Sequence, residues 1–348
     1  MSSAQVKNKI QVVAGPRLIK SANAELMGSN SPHLLRHVRE LNISRKSTIH
    51  FCSLPFTHLE TLSIHTAALP ESPEQLQPLL CSPNLRKLTL ATFDGFSSCL
   101  HFLSLCPTVR DLRLSCKPDA DHAGELRRRD LPLVLLEALF LKLEGTHSSP
   151  PQKLHASSLH PIDLSNLKAL HIWEFSLVAW DTLPAEAHES IRILDINFST
   201  NQLASEHPLL SSFENLVVLR LGLIEIGEPD VHRILASISK PHRIQRVIIG
   251  MSSDQAESYN HQECWRIDTI LLSLALSRVA IEFEFEPTAN NAEVLLRLLF
   301  PHLAAGSEPP STESNMNGFS KKFSVVYSPA GVDEFWQRDL LSTWRIVE

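Results

Sequence analysis

One six-residue pattern of apolar and variable positions recurs nine times along this chain. We call it the hexad: its first, fourth and sixth residues are apolar, and the other three vary. Apolar residues separated by single variable ones are typical of a β-strand with one face in a core. The nine hexads begin at Val38, Leu59, Leu85, Val109, Leu136, Leu167, Ile191, Leu216 and Ile244. The pattern therefore predicts nine strands whose first, fourth and sixth residues are buried.

The segments between the hexads have the spacing of helices. Apolar residues at steps of three and four occur in residues 73–82, 97–106, 228–240 and 265–277. A proline or a short turn precedes most hexads, where a helix would end and a strand begin. Alternating strands and helices predict an α/β fold with parallel strands. A doubly wound sheet is the alternative, but the same motif in every strand favours a stack of equivalent units.

The recurrence resembles a leucine-rich repeat. The fourth residues of successive hexads lie 21 to 31 residues apart, which is the period of that repeat. It implies a solenoid, or horseshoe, with parallel strands on its concave face, helices outside and a C-terminal cap. We expect a weakly ordered N-terminal segment in residues 1–30, the repeat domain in residues 31–303, and a mobile loop with the cap in residues 304–348.

The turns before the hexads carry a more specific resemblance. Sequences such as SPNLR and CPTVR, and the opening SPHLLRHVRELNI of residues 31–43, resemble the leucine-rich-repeat regions of F-box proteins from mushroom-forming fungi. The resemblance implies a non-catalytic protein-recognition module, related to substrate receptors of SCF-type ubiquitin ligases. Residues 1–30 show no F-box pattern, so a Skp1-type adaptor is expected as a partner only if an F-box lies upstream.

The same resemblance implies where a protein partner would bind. Side chains alternate along a strand, so the third, fifth and seventh residues counted from the hexad start should face the concave surface. The middle of that surface combines aromatic and arginine side chains, which are frequent in binding hot spots. The candidate partner-binding residues are Arg113, Phe140, His171, Trp173, Asp195 and Arg220. The alternative is that the charges are simply solvated and the aromatic rings pack on one another.

Two other functional hypotheses remain open from the sequence. The chain could be a truncated or diverged relic of an F-box protein without a dedicated partner. It could also be a GTPase-activating or other enzymatic solenoid, which only Arg113 and Arg220 would support. No GxSxG, GxxxxGK[ST], GxGxxG or HExxH motif occurs. We therefore expect no enzyme and no cofactor.

Metal binding and turn chemistry offer no further site. His155, His160 and His171 lack the cysteine pair or carboxylate that would complete a zinc site, so no metal is expected. The ninth repeat position carries no asparagine ladder, so the turns must be satisfied by other groups. The three glutamates of VAIEFEFEP, Glu282, Glu284 and Glu286, are interpreted as the solvated face of a late or edge strand.

Composition and charge narrow the class of partner. The net charge is −6, so no basic field attracts nucleic acid or an anionic membrane. None of the six cysteines forms a CxxC pair, which favours a reducing compartment. The N-terminus lacks the apolar stretch of a signal peptide. We expect a cytoplasmic or nuclear monomer that binds neither nucleic acid nor membrane.

Overall fold

The computed structural model describes most hexads and the helices that follow several of them. The described residues are 12–14, 17–19, 38–43, 56–65, 76–93, 99, 102–116, 133–143, 162–173, 183–197, 210–224, 229–238, 242–251, 261–285, 292–305 and 323–327. The chain divides into two compact units, Met1–Asn166 and Leu167–Glu348. Each unit is built around parallel strands.

The first unit contains nine described strands, one helix with described bounds, and further helical residues at 99 and 102–104. The strands are β1 (Val12–Ala14), β2 (Arg17–Ile19), β3 (Val38–Ile43), β4 (Thr61–His65), β5 (Lys87–Phe93), β6 (Asp111–Cys116), β7 (Val134–Leu135), β8 (Ala138–Leu143) and β9 (Ile162–Asp163). The helix is α1 (Gln77–Leu80). Strands β3, β4, β5, β6 and β8 pair in that order and are all parallel. Strand β1 is antiparallel to β2 and β3, and β7 pairs with β9 separately. Strands β1 and β2 lie in residues 1–30, where the sequence predicts only a weakly ordered segment.

The second unit contains six described strands and five described α-helices. The strands are β10 (Ala169–Trp173), β11 (Ile193–Asn197), β12 (Val218–Ile224), β13 (Arg246–Met251), β14 (Ala280–Phe285) and β15 (Phe323–Tyr327). The helices are α2 (Ala185–Ser190), α3 (Pro229–Ala236), α4 (His261–Leu276), α5 (Ala292–Leu299) and α6 (Pro301–Ala305). The strands pair in chain order and are all parallel. The mobile loop and the rest of the cap predicted in residues 304–348 lie outside the described residues, apart from β15 and the end of α6.

Equivalent residues of successive hexads stand directly opposite one another. In the first unit the fourth residues Leu41, Leu62, Leu88, Leu112 and Leu139 are register partners in sequence. In the second unit Leu170, Leu194, Leu219 and Val247 continue in the same way, followed by Ile281 and Phe323. Every first, fourth and sixth residue of the nine hexads is buried. The predicted α/β class, the parallel strands and the apolar core are therefore confirmed.

Six strands, β5, β6, β8, β11, β12 and β13, begin with the same backbone contact. The carbonyl of the second hexad residue accepts hydrogen bonds from the second and third amides of the next hexad. The carbonyl oxygen of Glu60 accepts from Arg86 and Lys87 at 2.9 and 3.0 Å, and that of Lys168 accepts from Arg192 and Ile193 at 2.9 Å. One carbonyl thus satisfies two amides at each step, and the strands are held in register from their first residues.

Polar side chains immediately before the hexads satisfy the preceding connections. Each donates a hydrogen bond to a backbone carbonyl one repeat earlier in the chain. The pairs are Asn84 with Thr57 at 2.8 Å, Thr108 with Ser82 at 3.2 Å, Ser190 with Leu167 at 2.9 Å, and Asn215 with Glu189 at 2.7 Å. These side chains form a set that we call the connecting donors. At the strand starts these side chains bond the carbonyls of the turns. They take the role that an asparagine at the ninth repeat position would otherwise have.

Helix α4 organises the end of the second unit. It contacts α3, α5, α6 and β14. The carboxylate of Asp268, which is fully buried, accepts hydrogen bonds from the amides of His302 and Leu303 at 2.7 and 2.9 Å and so satisfies the start of α6. Two residues after the end of α4, Arg278 adopts the left-handed conformation, with φ of 68°. The amide of Val279 then bonds the carbonyl of Leu274 at 3.1 Å, as in a Schellman motif.

Candidate functional site

The face opposite the leucine core is buried through the middle of each unit. The sequence predicts that the fifth hexad residues face solvent, and for five candidate residues this prediction is wrong. Arg113, Phe140, His171 and Asp195 are at most 1% exposed and Arg220 is 6% exposed. Parallel strands commonly have both faces covered, and a period-two pattern alone does not show this. Trp173, the sixth candidate, is partly exposed.

In the first unit the structure brings Arg113 and Phe140 together. They are direct register partners on β6 and β8, and both are buried. Nε of Arg113 lies 3.6 Å from Oδ1 of Asp111, whose Oδ2 lies 3.8 Å from Nζ of Lys87. The guanidinium therefore belongs to the interior of this unit, and the interpretation of Arg113 as a solvated charge is wrong.

In the second unit a buried polar cluster takes the place of the predicted binding surface. The cluster consists of His171, Asp195, Asn197, Arg220 and Glu284. Arg220 donates from Nη1 to Oδ1 of Asp195 at 3.0 Å and from Nε to Oε2 of Glu284 at 2.7 Å. Nδ1 of His171 lies 2.5 Å from Oδ2 of Asp195. The cluster therefore joins side chains from β10, β11, β12 and β14.

The contacts of Asn197 determine the proton position on His171. Arg220 can only donate, and its Nη1 lies 3.3 Å from the oxygen Oδ1 of Asn197. The amide nitrogen of Asn197 therefore faces Nε2 of His171, at 3.3 Å, and donates to it. Nε2 is then an acceptor and the proton is on Nδ1, the atom that lies against Oδ2 of Asp195.

A histidine beside an aspartate is also the arrangement of a catalytic base and its orienting carboxylate. In such a pair Nε2 has to reach the reacting group. Here Nε2 is directed at the amide of Asn197 and the imidazole is fully buried. The described geometry therefore uses His171 to orient other side chains and does not present it to a substrate.

The charges of the cluster stabilise one another. Burial alone would raise the pKa of Asp195, but the guanidinium of Arg220 and the imidazole of His171 more than offset it, and that pKa lies below its usual value. Burial would lower the pKa of Arg220, but the carboxylates of Asp195 and Glu284 outweigh burial and raise it. Asp195 and Arg220 are therefore both charged at neutral pH.

Gly222 makes room for the cluster. A Cβ atom at this position would collide with Oδ1 of Asn197 and with Nη1 of Arg220. Asn197 is the register partner of Gly222 on β11. A residue with a side chain would therefore occupy the space through which the guanidinium passes, and glycine is required here for close approach.

Two members of the cluster, Asn197 and Glu284, are not predicted from the sequence. Asn197 was not among the candidates. The interpretation of Glu284 as part of a solvated face is wrong, because it is buried against Arg220. Glu282 is partly exposed and pairs with Arg246, with contacts of 2.7 and 2.5 Å, while Glu286 lies outside the described residues. Strand β14 lies between β13 and β15 and is not an edge.

The polar face is accessible in the first strands of the first unit. On β3 and β4 the side chains of Asn42, Thr61, Ser63 and His65 are partly exposed. Burial lowers the pKa of His65 below its ordinary value, so the imidazole is neutral at neutral pH. These strands therefore present hydrogen-bonding groups to solvent, together with the exposed side chain of Glu40, the register partner of Thr61.

Comparison with known proteins assigns no family to this arrangement. No protein-family model matches the chain, and no curated protein matches it. Among the helices that the structure describes, none combines the length and apolarity needed to cross a bilayer.

Proposed function

We propose that this chain is a leucine-rich-repeat solenoid that acts as a non-catalytic protein-recognition module. The observation that carries the proposal is the register of the hexads, whose equivalent residues stand opposite one another within each unit. A stack of equivalent strands repeats the same outward positions at every step, which suits recognition of an extended protein surface. We propose further that it acts as a monomer in the cytoplasm or nucleus, without a cofactor, nucleic acid or membrane.

The burial of five candidate residues changes the proposed contact surface. A partner cannot reach Arg113, Phe140, His171, Asp195 or Arg220 without opening the fold. The accessible residues of the same face include Glu40, Asn42, Thr61, Ser63 and His65 in the first unit and Trp173 in the second. We therefore propose Asn42, Ser63 and His65 as the contact surface of the first unit, with a polar, hydrogen-bonding protein segment as its partner.

Site-specific photo-crosslinking tests this surface. A photoreactive phenylalanine analogue replaces Ser63 in one sample and Glu186, an exposed residue of α2, in a matched control. The proposal predicts that a partner protein crosslinks to position 63 and does not crosslink to position 186. Excess unlabelled wild-type chain should compete for it, whereas a His65→Glu competitor should compete less well. Identical adducts from both positions, or none from position 63, would contradict the proposal.

A role as an F-box-type substrate receptor is the narrower form of the proposal. It follows from the resemblance of the turns before the hexads, and it requires contact with a Skp1-type adaptor. Gel filtration of the purified chain with a purified Skp1-type adaptor tests it. Co-elution would support the receptor role, and separate elution would restrict the proposal for this chain to recognition alone.

The two alternatives differ in what supports them. The enzymatic solenoid rested on Arg113 and Arg220, and an arginine that stabilises a transferred phosphoryl group has to reach that group. Both side chains are buried, and Arg220 binds two carboxylates. The relic hypothesis predicts that no position gives a crosslinked adduct for which the unlabelled chain competes. The crosslinking experiment therefore distinguishes a relic from a recognition module.

A further inference from the structure

Helix α5 carries exposed apolar residues in addition to the apolar side that it buries. Its inner side consists of Ala292, Leu296 and Leu299, which are buried. On the outside, Val294 is 68% exposed and Leu298 is 65% exposed. These two residues are four positions apart and therefore lie on the same side of the helix. We call Val294 and Leu298 the outer face of α5, and a helix that is apolar on more than one side is normally covered on each of them.

The helices of the second unit contact one another in chain order. Helix α3 follows β12 and contacts α4, which follows β13. Helix α4 contacts α5 and α6, which follow β14, and it leaves the outer face of α5 exposed. Strand β15 then extends the parallel sheet beyond β14. A helix that follows β15 would therefore be the next one to reach α5.

The sequence after β15 predicts such a helix. Residues 328–348 lie outside the described residues. Within them, the segment 333–344 (DEFWQRDLLSTW) starts with two acidic residues and is followed by Arg345, the order of charges that suits a helix dipole. Apolar residues at steps of four give the predicted helix one apolar side. They are Trp336, Leu340 and Trp344.

The connection from β15 to this segment has the length of the earlier ones. Four residues (225–228) join β12 to α3, nine (252–260) join β13 to α4, and six (286–291) join β14 to α5. Five residues (328–332) separate β15 from the segment, and they include Pro329, a residue typical of turns. The segment therefore begins where a helix that follows β15 is expected to begin.

We propose that residues 333–344 form the next helix of this series and dock on the outer face of α5. Trp336, Leu340 and Trp344 pack against Val294 and Leu298, so that apolar side chains of both helices leave water together. The occupant of the outer face is thus a segment of the same chain. The proposal concerns the helical side of the second unit, so it goes beyond the recognition surface proposed on β3 and β4.

Photo-crosslinking in a mixture of isotope-labelled and unlabelled chains tests the proposal. A photoreactive phenylalanine analogue replaces Val294 in one sample and Leu133, a 60% exposed residue of the first unit, in a matched control. Mass spectrometry identifies the crosslinked peptides. We expect position 294 to crosslink to residues 333–344 of the same chain, and position 133 to give no such product. Crosslinks between differently labelled chains would identify a second copy as the occupant and overturn the proposal, as would the absence of a product between position 294 and residues 333–344.

Two charged substitutions assign the contact to the apolar side of the segment. Leu340→Glu places a carboxylate on that side, and we expect the crosslink from position 294 to fall about tenfold, because one buried leucine is lost from the contact. Ser342→Glu places the same charge on the opposite side and should leave the crosslink unchanged. Circular dichroism establishes that the variants fold, and Trp344→Ala carries the test if Leu340→Glu does not. Equal crosslinking in the variants of the two sides would overturn the proposal.

Discussion

Arg220 and Glu284 are joined across a strand that lies between them. Arg220 belongs to β12 and Glu284 to β14, while β13 pairs with both strands. Nε of Arg220 nevertheless donates to Oε2 of Glu284 at 2.7 Å, with both side chains almost fully buried. The guanidinium also binds Asp195 on β11, so one side chain links three strands of the second unit.

Removing one partner of this buried pair should be costly. Glu284→Gln keeps the side-chain volume but removes a counter-charge from a buried guanidinium, and we expect a loss of about 3 kcal/mol in the free energy of unfolding. The matched control is Glu282→Gln, because Glu282 forms a more exposed pair with Arg246, whose side chain is 32% exposed. That substitution should cost at most about 1 kcal/mol. Urea unfolding measures both, and equal losses would contradict the assignment of the buried pair.

The lowered pKa of Asp195 predicts a dependence of stability on acid. The unfolded chain binds a proton at Asp195 at a higher pH than the folded chain does, so the folded state gains stability as pH rises through this window. The contribution is complete above the ordinary aspartate pKa of about 4 and is lost as pH falls through the lower folded value. Asp195→Asn should remove this component. Unfolding free energies measured from pH 7 to pH 3 should fall less steeply for the variant, and parallel curves would contradict the prediction.

Gly222 should not tolerate even a methyl group. Gly222→Ala places Cβ against Asn197 and Arg220, and we expect a loss of about 1–3 kcal/mol from overpacking. Asn197→Ala in the same chain removes one of the two colliding groups. The double variant should therefore lose less than the two single losses added together. Additive losses in urea unfolding would show that Gly222 and Asn197 do not compete for the same space.

Two positions of β10, Leu170 and Trp173, should respond differently to truncation. Leu170 is a buried fourth hexad residue, and Leu170→Ala should cost about 2–5 kcal/mol through lost burial and a new cavity. Trp173 is partly exposed, so Trp173→Ala should cost clearly less despite its larger side chain. Thermal and urea unfolding compare the two. Equal destabilisation would mean that Trp173 belongs to the core.

Arg278 should be replaceable by glycine with a gain in stability. Its φ of 68° lies in the left-handed region, which costs a residue with a Cβ atom roughly 1–2 kcal/mol. Glycine relieves this cost, but its greater freedom in the unfolded chain offsets part of the relief. We therefore expect Arg278→Gly to raise the free energy of unfolding by about 0.5–1 kcal/mol. Arg278→Ala is the control, because it keeps the Cβ atom and should show no gain.

The sequence predicts the core more accurately than the opposite face. Leucine and isoleucine at the first, fourth and sixth positions have one stable location, so Leu112 and Leu194 were correctly expected to be buried. Arg113 and Asp195 lie between such residues. The alternation of apolar and polar residues is the same whether water or other protein groups cover these two side chains. Their burial depends on contacts that a local pattern does not contain.

A signal for the polar cluster was nevertheless present in the sequence. His171, Asp195 and Arg220 occupy the fifth position of three consecutive hexads, which places complementary groups on adjacent strands. Reading each position down the stack, as cross-strand pairs, would have suggested a mutual contact. Glu284 could not have been found in this way, because its partner lies two strands away.

The connecting donors have a consequence for how such a chain can change length during evolution. Outside residues 171–284, Asn84 and Thr108 each bond a backbone carbonyl one repeat earlier in the chain, and any amino acid supplies that carbonyl. Duplication or deletion of one repeat would recreate an equivalent junction, and no compensating substitution would be needed. The region from His171 to Glu284 is different, because its side chains recognise each other in a fixed order. Gain or loss of units is therefore tolerated outside that region and opposed within it.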